Sequence, residues 1–403
     1  MDITNAPPGT TTGASAVGSA GVDVDRVRAT LMILGIVLHA ADVFITSGDW
    51  LVADTHRSAV FDALVALIHS FRVPGFFLLS GLLFSRSLSR HSTPDLVVRQ
   101  LLRLGLPLLV CWMLINGAQH ALLAAAHGQD PWEAMLSFSG PIYHLWFLRD
   151  LLVLNLLVLA WVALVGRSKR RAVAGQGRLS RLLDRIEGHG PSHWMSVALS
   201  GAMASLALLI VVRLTGWAYA KGPGELSLFD LAFYAPMFFA GLAMSRRRGW
   251  LEAWLRTPLW LLPVAAFAAN WGDVASDTLR SALAREMALA VQLVGIWVAT
   301  GAAVGALGRL RGATSGGLGR MLSDASYTIF LIHHLLVVAL ALLLLPRDWP
   351  AVAKFGLITA GAFALSLAFH RWVVRPFAFM RLLFNGRLPS PQAQTAVATH
   401  RAA

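Results

Sequence analysis

Arg28 and His39 lie eleven residues apart within the stretch Val24 to Ile45, and both belong to residue types that act on substrates. In a helix that separation is about 16 Å of rise. It is also close to three whole turns, so the two side chains share one stripe. A fixed cation can hold an anionic group such as a phosphate. An imidazole titrates near neutral pH and can take a proton from a nucleophile. A plainer reading stands beside this one, in which Arg28 anchors the chain at a membrane face and His39 bonds a neighbouring helix.

Further polar residues sit inside apolar stretches, where an ionisable group marks a functional site by default. In HSFRVPGFFLLSGLLF, His69 and Arg72 are one helical turn apart, and Pro74–Gly75 is expected to break the helix and offer them free carbonyls. Arg72 reaches neither interface from there, which points to a cavity. Ser80–Gly81 reads chiefly as a close helix contact. Arg99 and Arg103 are one turn apart at a cytoplasmic helix end, as a phosphate clamp or as interfacial anchors.

His144, Trp146, Arg149 and Asp150 open another apolar run. Helix neighbours diverge, so Arg149 and Asp150 are expected to find separate partners. His333 and His334 fall at mid-depth of a later run, and Glu286 stands unpaired in the sequence. Asp42, one turn outward of His39, either orients its imidazole or faces water. These residues fall into three expected layers. Arginines form the cytoplasmic layer, His39, His69, Arg72 and His333 the midplane, and Asp42, His144, Arg149 and Asp150 the outer side. No metal ligand set is assigned.

The elements that must position these groups are membrane helices. Of 403 residues, 56% are hydrophobic and 14% charged, against roughly 25% charged in a soluble domain. Spans of about 20 mostly apolar residues are expected at 27–46, 60–85, 97–125, 143–166, 194–216, 227–245, 254–272, 280–307, 324–345 and 350–373. Basic clusters follow every second span: Arg86 and Arg90; Arg167 to Arg185; Arg246 to Arg248; Arg309, Arg311 and Arg320; Arg375, Arg381 and Arg387. The positive-inside rule therefore predicts an all-α, polytopic protein of ten helices with both termini cytoplasmic. It also accounts for the formal charge of +13 without nucleic acid. Residues 1–22 and most of 376–403 read as disordered tails flanking a membrane domain over 23–375. Cys111, the single cysteine, excludes an intrachain disulfide.

Five segments taken in order resemble membrane acyltransferase family 3: the Arg28–His39 spacing, FFLLSG at Phe76–Gly81, RLGLP from Arg103, HLWFL at His144–Leu148 and SYTIFLIH at Ser326–His333. RATLMILGIVLH, HSFRVPGFFLLSG and HLWFL are similar to one branch, the succinyltransferases that modify periplasmic glucans. The arginine pair is usually spaced R-x-x-R in the family, against Arg99-x-x-x-Arg103 here, and Asp42, Arg149 and His334 lie outside the family pattern.

The resemblance implies an enzyme of the bacterial inner membrane that moves an acyl group from cytoplasmic acyl-CoA to a hydroxyl of a periplasmic glucan or other surface carbohydrate. Succinyl-CoA is favoured by the branch and acetyl-CoA stays open; either is a co-substrate, with no tightly bound cofactor. Coenzyme A phosphates are assigned to Arg28, Arg103 and Arg99. His39 would be the base, with Arg72, His333 or His69 steadying the oxyanion. His69, His144, Trp146, Arg149, Asp150 and Asp42 are the candidates for substrate contact. The alternative is a polysaccharide or small-molecule transporter, which also needs polar groups at mid-depth.

Overall fold

A computed structural model describes residues 23–137, 141–169, 193–221, 225–310 and 317–387. The expected tails at 1–22 and 388–403 lie outside these residues, as do Arg311 and the arginine-bearing stretch 170–192. The described chain is helical, with one isolated bridge between Lys221 and Ser227. Its principal helices are α1 (Val24–Asp42), α2 (Ala59–Leu88), α3 (Thr93–Ala126), α4 (Pro131–Leu136), α5 (Trp146–Lys169), α6 (Trp194–Leu214), α7 (Leu228–Met244), α8 (Arg248–Leu255), α9 (Leu262–Thr278), α10 (Ala282–Arg309), α11 (Gly317–Leu344), α12 (Ala351–Val374) and α13 (Ala378–Asn385).

A helix occupies each of the ten expected segments, and α4, α8 and α13 are short additions. Seven of the helices, α2, α3, α5, α6, α10, α11 and α12, are long and apolar enough to cross a membrane. This is a polytopic membrane protein. The other three fall short for visible reasons. α7 has 17 residues, about 26 Å of rise against a hydrocarbon layer of about 30 Å, and α9, which continues a 3-10 turn at Leu259–Leu261, carries Asn270, Asp273 and Asp277. α1 carries Asp25, Arg26, Arg28 and Asp42 near its ends, which lowers its apolarity where chemistry is expected.

Local sequence sets the ends of these helices. Asp23 caps α1 by accepting the Arg26 backbone N–H at 3.0 Å, and Ser227 caps α7 by accepting that of Asp230 at 3.0 Å. Glycines permit the closest crossings. A Cβ on Gly81 would stand 2.0 Å from the Phe238 carbonyl, and one on Gly241 would stand 2.1 Å from that of Leu78. α2 and α7 therefore meet backbone to backbone, as the packing reading of Ser80–Gly81 expects.

Two expectations are corrected. α2 runs unbroken from Ala59 to Leu88 through Pro74, so Pro74–Gly75 does not interrupt it. Glu286 is not unpaired; it forms an ion pair with Arg213 of α6.

α3 departs from regular geometry instead, with π-helical segments at Leu101–Gly105 and Cys111–Asn116. α12 ends in another, at His370–Val374. Single-turn π segments often accompany functional sites, because they release a carbonyl and re-aim side chains. The first of these carries Arg103, whose carbonyl accepts the Tyr327 hydroxyl at 2.8 Å.

Candidate functional site

At the Arg28 end of α1, a cavity of about 870 Å³ opens among α1, α2, α3, α5, α11 and the segment after α13. Arg28, Arg99 and Arg103, the three arginines chosen from sequence, all line it. Arg387 joins them. It belongs to the segment expected to be mostly tail, but α13 packs Phe384 and Asn385 inward. Gly386 follows at φ 60°, with Leu102 O only 2.1 Å from where a Cβ would lie. That left-handed turn against α3 suits glycine. Arg387 also holds Asp324 at 2.8 Å. Met32, Phe76, Leu79 and Phe147 add apolar surface to the cavity. It thus offers four guanidiniums at its rim and an apolar wall extending up α1 as far as Met32.

One turn beyond Met32 is Gly35, and one turn beyond that is His39. Arg72 reaches this stretch from α2 with its Nε donating to Leu31 O at 3.1 Å. A Cβ on Gly35 would lie 2.3 Å from Arg72 Nη2 and 3.0 Å from His333 Nε2. The glycine therefore leaves the notch in which a guanidinium and an imidazole meet. Both residues are buried.

His39 Nδ1 lies 3.0 Å from Asp42 Oδ2. In the tautomer whose Nδ1 donates to this carboxylate, Nε2 keeps the lone pair. Asp42 is 8% exposed, so it orients the imidazole rather than facing water. Three further histidines surround His39. Its ring centroid is 5.5 Å from that of His333 and 4.7 Å from that of His334. His144 stacks on His334 at 4.8 Å and meets His333 at 5.1 Å. His334 Nδ1 bonds Gln119 Oε1 at 2.7 Å, and His333 Nδ1 bonds Phe330 O at 2.7 Å. His333 Nε2 and His144 Nδ1 are buried with no hydrogen-bond partner among the described residues. Buried polar atoms are normally paired, so unbonded nitrogens in one cluster mark a place fitted for polar substrate atoms.

This geometry corrects the expected layers. His144 is not above the midplane histidines but among them. Asn116, at the end of the second π segment, donates to Ile142 O at 2.9 Å and fixes the approach to α5. Tyr143 then adopts φ 45°, uncommon for a residue with a side chain, and the turn carries His144 into the cluster. Arg149 and Asp150, expected to diverge, pair with each other, Nε to Oδ1 at 2.7 Å. Trp146 packs on Tyr234, centroids 5.3 Å apart. His69 is exposed and makes no ring contact with the other histidines among the described residues.

The sequence reading missed Gln119, Arg387, Gly35 and Trp50. Trp50 stacks on His39 at 6.1 Å and 15° between planes, from the loop after α1. The same loop places Asp54 beside Lys354 of α12, Oδ2 to Nζ 2.6 Å, each 1% exposed. Burial alone would raise the Asp54 pKa; the bonds from Lys354 and from His56 outweigh it and hold the carboxyl below its ordinary value.

The acyltransferase domain model matches residues 22–371. Glucans biosynthesis protein C of Escherichia coli (strain K12) is 29% identical to this chain over 147 residues, 34% of this chain and 38% of that protein. The protein of the same name from Shigella dysenteriae serotype 1 (strain Sd197) matches with the same identity and coverage. The chain thus spans well under half the length of these curated relatives. No solved structure matches it. The family match runs from the start of α1 into the π segment of α12 and includes the histidine cluster and the cavity arginines Arg28, Arg99 and Arg103, though not Arg387: the chain belongs to acyltransferase family 3.

Proposed function

We propose that this protein transfers an acyl group from cytoplasmic acyl-CoA to a hydroxyl of a carbohydrate on the other face of the bacterial inner membrane. The observation that carries the reading is the single stripe of α1. Arg28 and Met32 line the cationic cavity, Gly35 opens the notch for Arg72 and His333, and His39 stands in the histidine cluster. All ten helices are taken to cross the membrane, with both termini cytoplasmic, because basic clusters follow every second helix.

Arg28, Arg99, Arg103 and Arg387 would hold the phosphates of coenzyme A, and the apolar wall would guide the thioester arm toward Gly35. His39 Nε2 takes the proton from the acceptor hydroxyl as its oxygen attacks the thioester carbonyl. Arg72 and the Nε2 side of His333 face the position of the developing oxyanion. The tetrahedral intermediate collapses, the C–S bond breaks, and the leaving thiolate receives the proton from His39. The products are the O-acyl carbohydrate and free coenzyme A. Asp42 holds Nδ1, so the tautomer with a basic Nε2 is the one presented.

Succinyl as the acyl group and a periplasmic glucan as the acceptor are the finer proposal, supported by the partial likeness to glucans biosynthesis protein C. The family match weighs against the transporter reading. Incubating purified protein with glucan and isotopically labelled succinyl-CoA or acetyl-CoA tests both levels. Label should enter the glucan as an ester, with succinyl preferred. Transport of glucan without esterification would refute the enzymatic reading.

A further inference from the structure

The loop 43–58 is irregular yet closely tied. The Asp54 backbone N–H donates to Val43 O at 2.9 Å and that of Ser58 to Phe44 O at 3.0 Å. Arg57 Nε donates to Asp54 O at 2.9 Å. The Asp54–Lys354 pair fixes the loop to α12. A buried ion pair returns little net stability for its desolvation and serves better to specify one arrangement. What this arrangement presents is Trp50. Its neighbours in the loop fill the interior, with Val43 1%, Phe44 0% and Val52 4% exposed. Trp50 itself remains partly exposed. Its ring lies nearly parallel to His39 and edge-on to His334, centroids 5.6 Å apart. Beside it, Asp49 is an exposed carboxylate. The loop leaves the end of α1 opposite Arg28, so it borders the histidines on the side away from the donor cavity.

We propose that this loop forms the acceptor subsite and that Trp50 is its platform for a pyranose ring. The proposal deepens the acyltransferase reading and rests on it. The C–H-rich face of a sugar is apolar and slightly positive, and it complements the negative face of an indole. A ring seated there turns its hydroxyls outward at the edge, where Asp49 can accept one and His39 can deprotonate another. A small ligand held by an apolar face and a few placed polar groups follows the ordinary pattern of binding sites. Trp50 is a substrate-binding residue under this assignment. The Asp54–Lys354 pair acts through it.

The test uses the full-length protein in nanodiscs with a purified glucan oligosaccharide. Affinity for the oligosaccharide is measured calorimetrically without donor, and transfer from labelled acyl-CoA is measured separately. Trp50→Phe keeps an aromatic face, and Trp50→Leu keeps apolar bulk without one. Trp50→Leu is expected to weaken oligosaccharide binding and raise acceptor KM about tenfold, the scale of a lost aromatic contact, with donor KM unchanged. Trp50→Phe is expected to stay within about threefold of wild type, since it retains the face. Binding that fails in the wild type, equal binding in Trp50→Leu, or equal shifts in donor and acceptor KM would overturn the assignment. Intact binding that depends on Trp50, without acyl transfer, would instead count against the acyltransferase reading and leave the subsite standing.

Discussion

Arg72 occupies the space that Gly35 leaves vacant. The guanidinium crosses from α2, bonds the Leu31 carbonyl at 3.1 Å, and lies where any side chain at position 35 would have to go. A buried guanidinium is expensive unless it is held, and here a backbone carbonyl and a glycine notch hold it beside His333. Gly35→Ala should therefore displace Arg72 without breaking the helix, since alanine favours helix and the atom it meets is the tip of a long side chain. We expect kcat to fall by roughly 10²-fold or more, the scale of a lost oxyanion donor, with detergent-solubilised Tm within a few degrees of wild type. Loss of folding with no separable loss of turnover would deny Arg72 its role.

His39→Ala should abolish transfer while leaving donor binding intact, because Arg28 stands about 16 Å away along α1. Removal of a general base costs roughly 10²- to 10⁴-fold. His39→Gln retains a hydrogen bond but accepts no proton at neutral pH, and should be nearly as inactive. Asp42→Asn keeps an acceptor for Nδ1 without the charge, and its loss should appear in kcat more than in donor KM. Near-normal turnover in His39→Gln would transfer the base role to His333 or His144, each of which has an unbonded ring nitrogen.

Arg28, Arg103 and Arg387 line one cavity from α1, α3 and the segment after α13. If they bind phosphate, Arg28→Lys should keep more donor affinity than Arg28→Ala. The losses should appear mainly as donor KM, as uniform binding does, and should shrink as salt rises. Arg387→Ala should behave like Arg28→Ala, and it also frees Asp324 to face the cavity. Donor KM is measured at saturating acceptor and two ionic strengths. Wild-type donor KM for both variants would remove the cavity from the donor path.

Much of this architecture was legible in the sequence because it depends on short-range periodicity. The apolar runs placed the ten helices, and the Arg28–His39 spacing placed two groups on one stripe that the fold then lines with a cavity at one end and histidines at the other. What was not legible depends on contacts between distant residues or on irregular backbone. His144 reaches the cluster only through the left-handed turn at Tyr143 and the Asn116 bond to Ile142. Arg149 and Asp150 look divergent on a helical wheel, yet a long arginine side chain folds back to its neighbour. Trp50 sits in a loop whose course is set by Lys354, 300 residues away in sequence. Gly35 reads as one more small residue until the side chain opposite is known.

The Asp54–Lys354 pair gives the last prediction. Lys354→Ala leaves a buried carboxylate without its partner, and breaking such a pair typically costs about 3–5 kcal/mol. The double variant Asp54→Leu with Lys354→Met replaces both charges by apolar groups of similar size and should be much less destabilised than either single change. The acid response follows from the direction of the Asp54 shift. Its carboxyl is held below its ordinary value of 3.8 in the folded protein. The stabilisation is therefore fully present above that value and is lost as pH falls through the lower, folded-state value. Wild-type Tm should be insensitive to this pair between neutral pH and about pH 5 and should fall below about pH 4 as the carboxylate protonates. The double variant should lack that component of the acid transition. Thermal melts of the three proteins across this range make the comparison, and an acid transition unchanged in the double variant would show that the loop is not held by this pair.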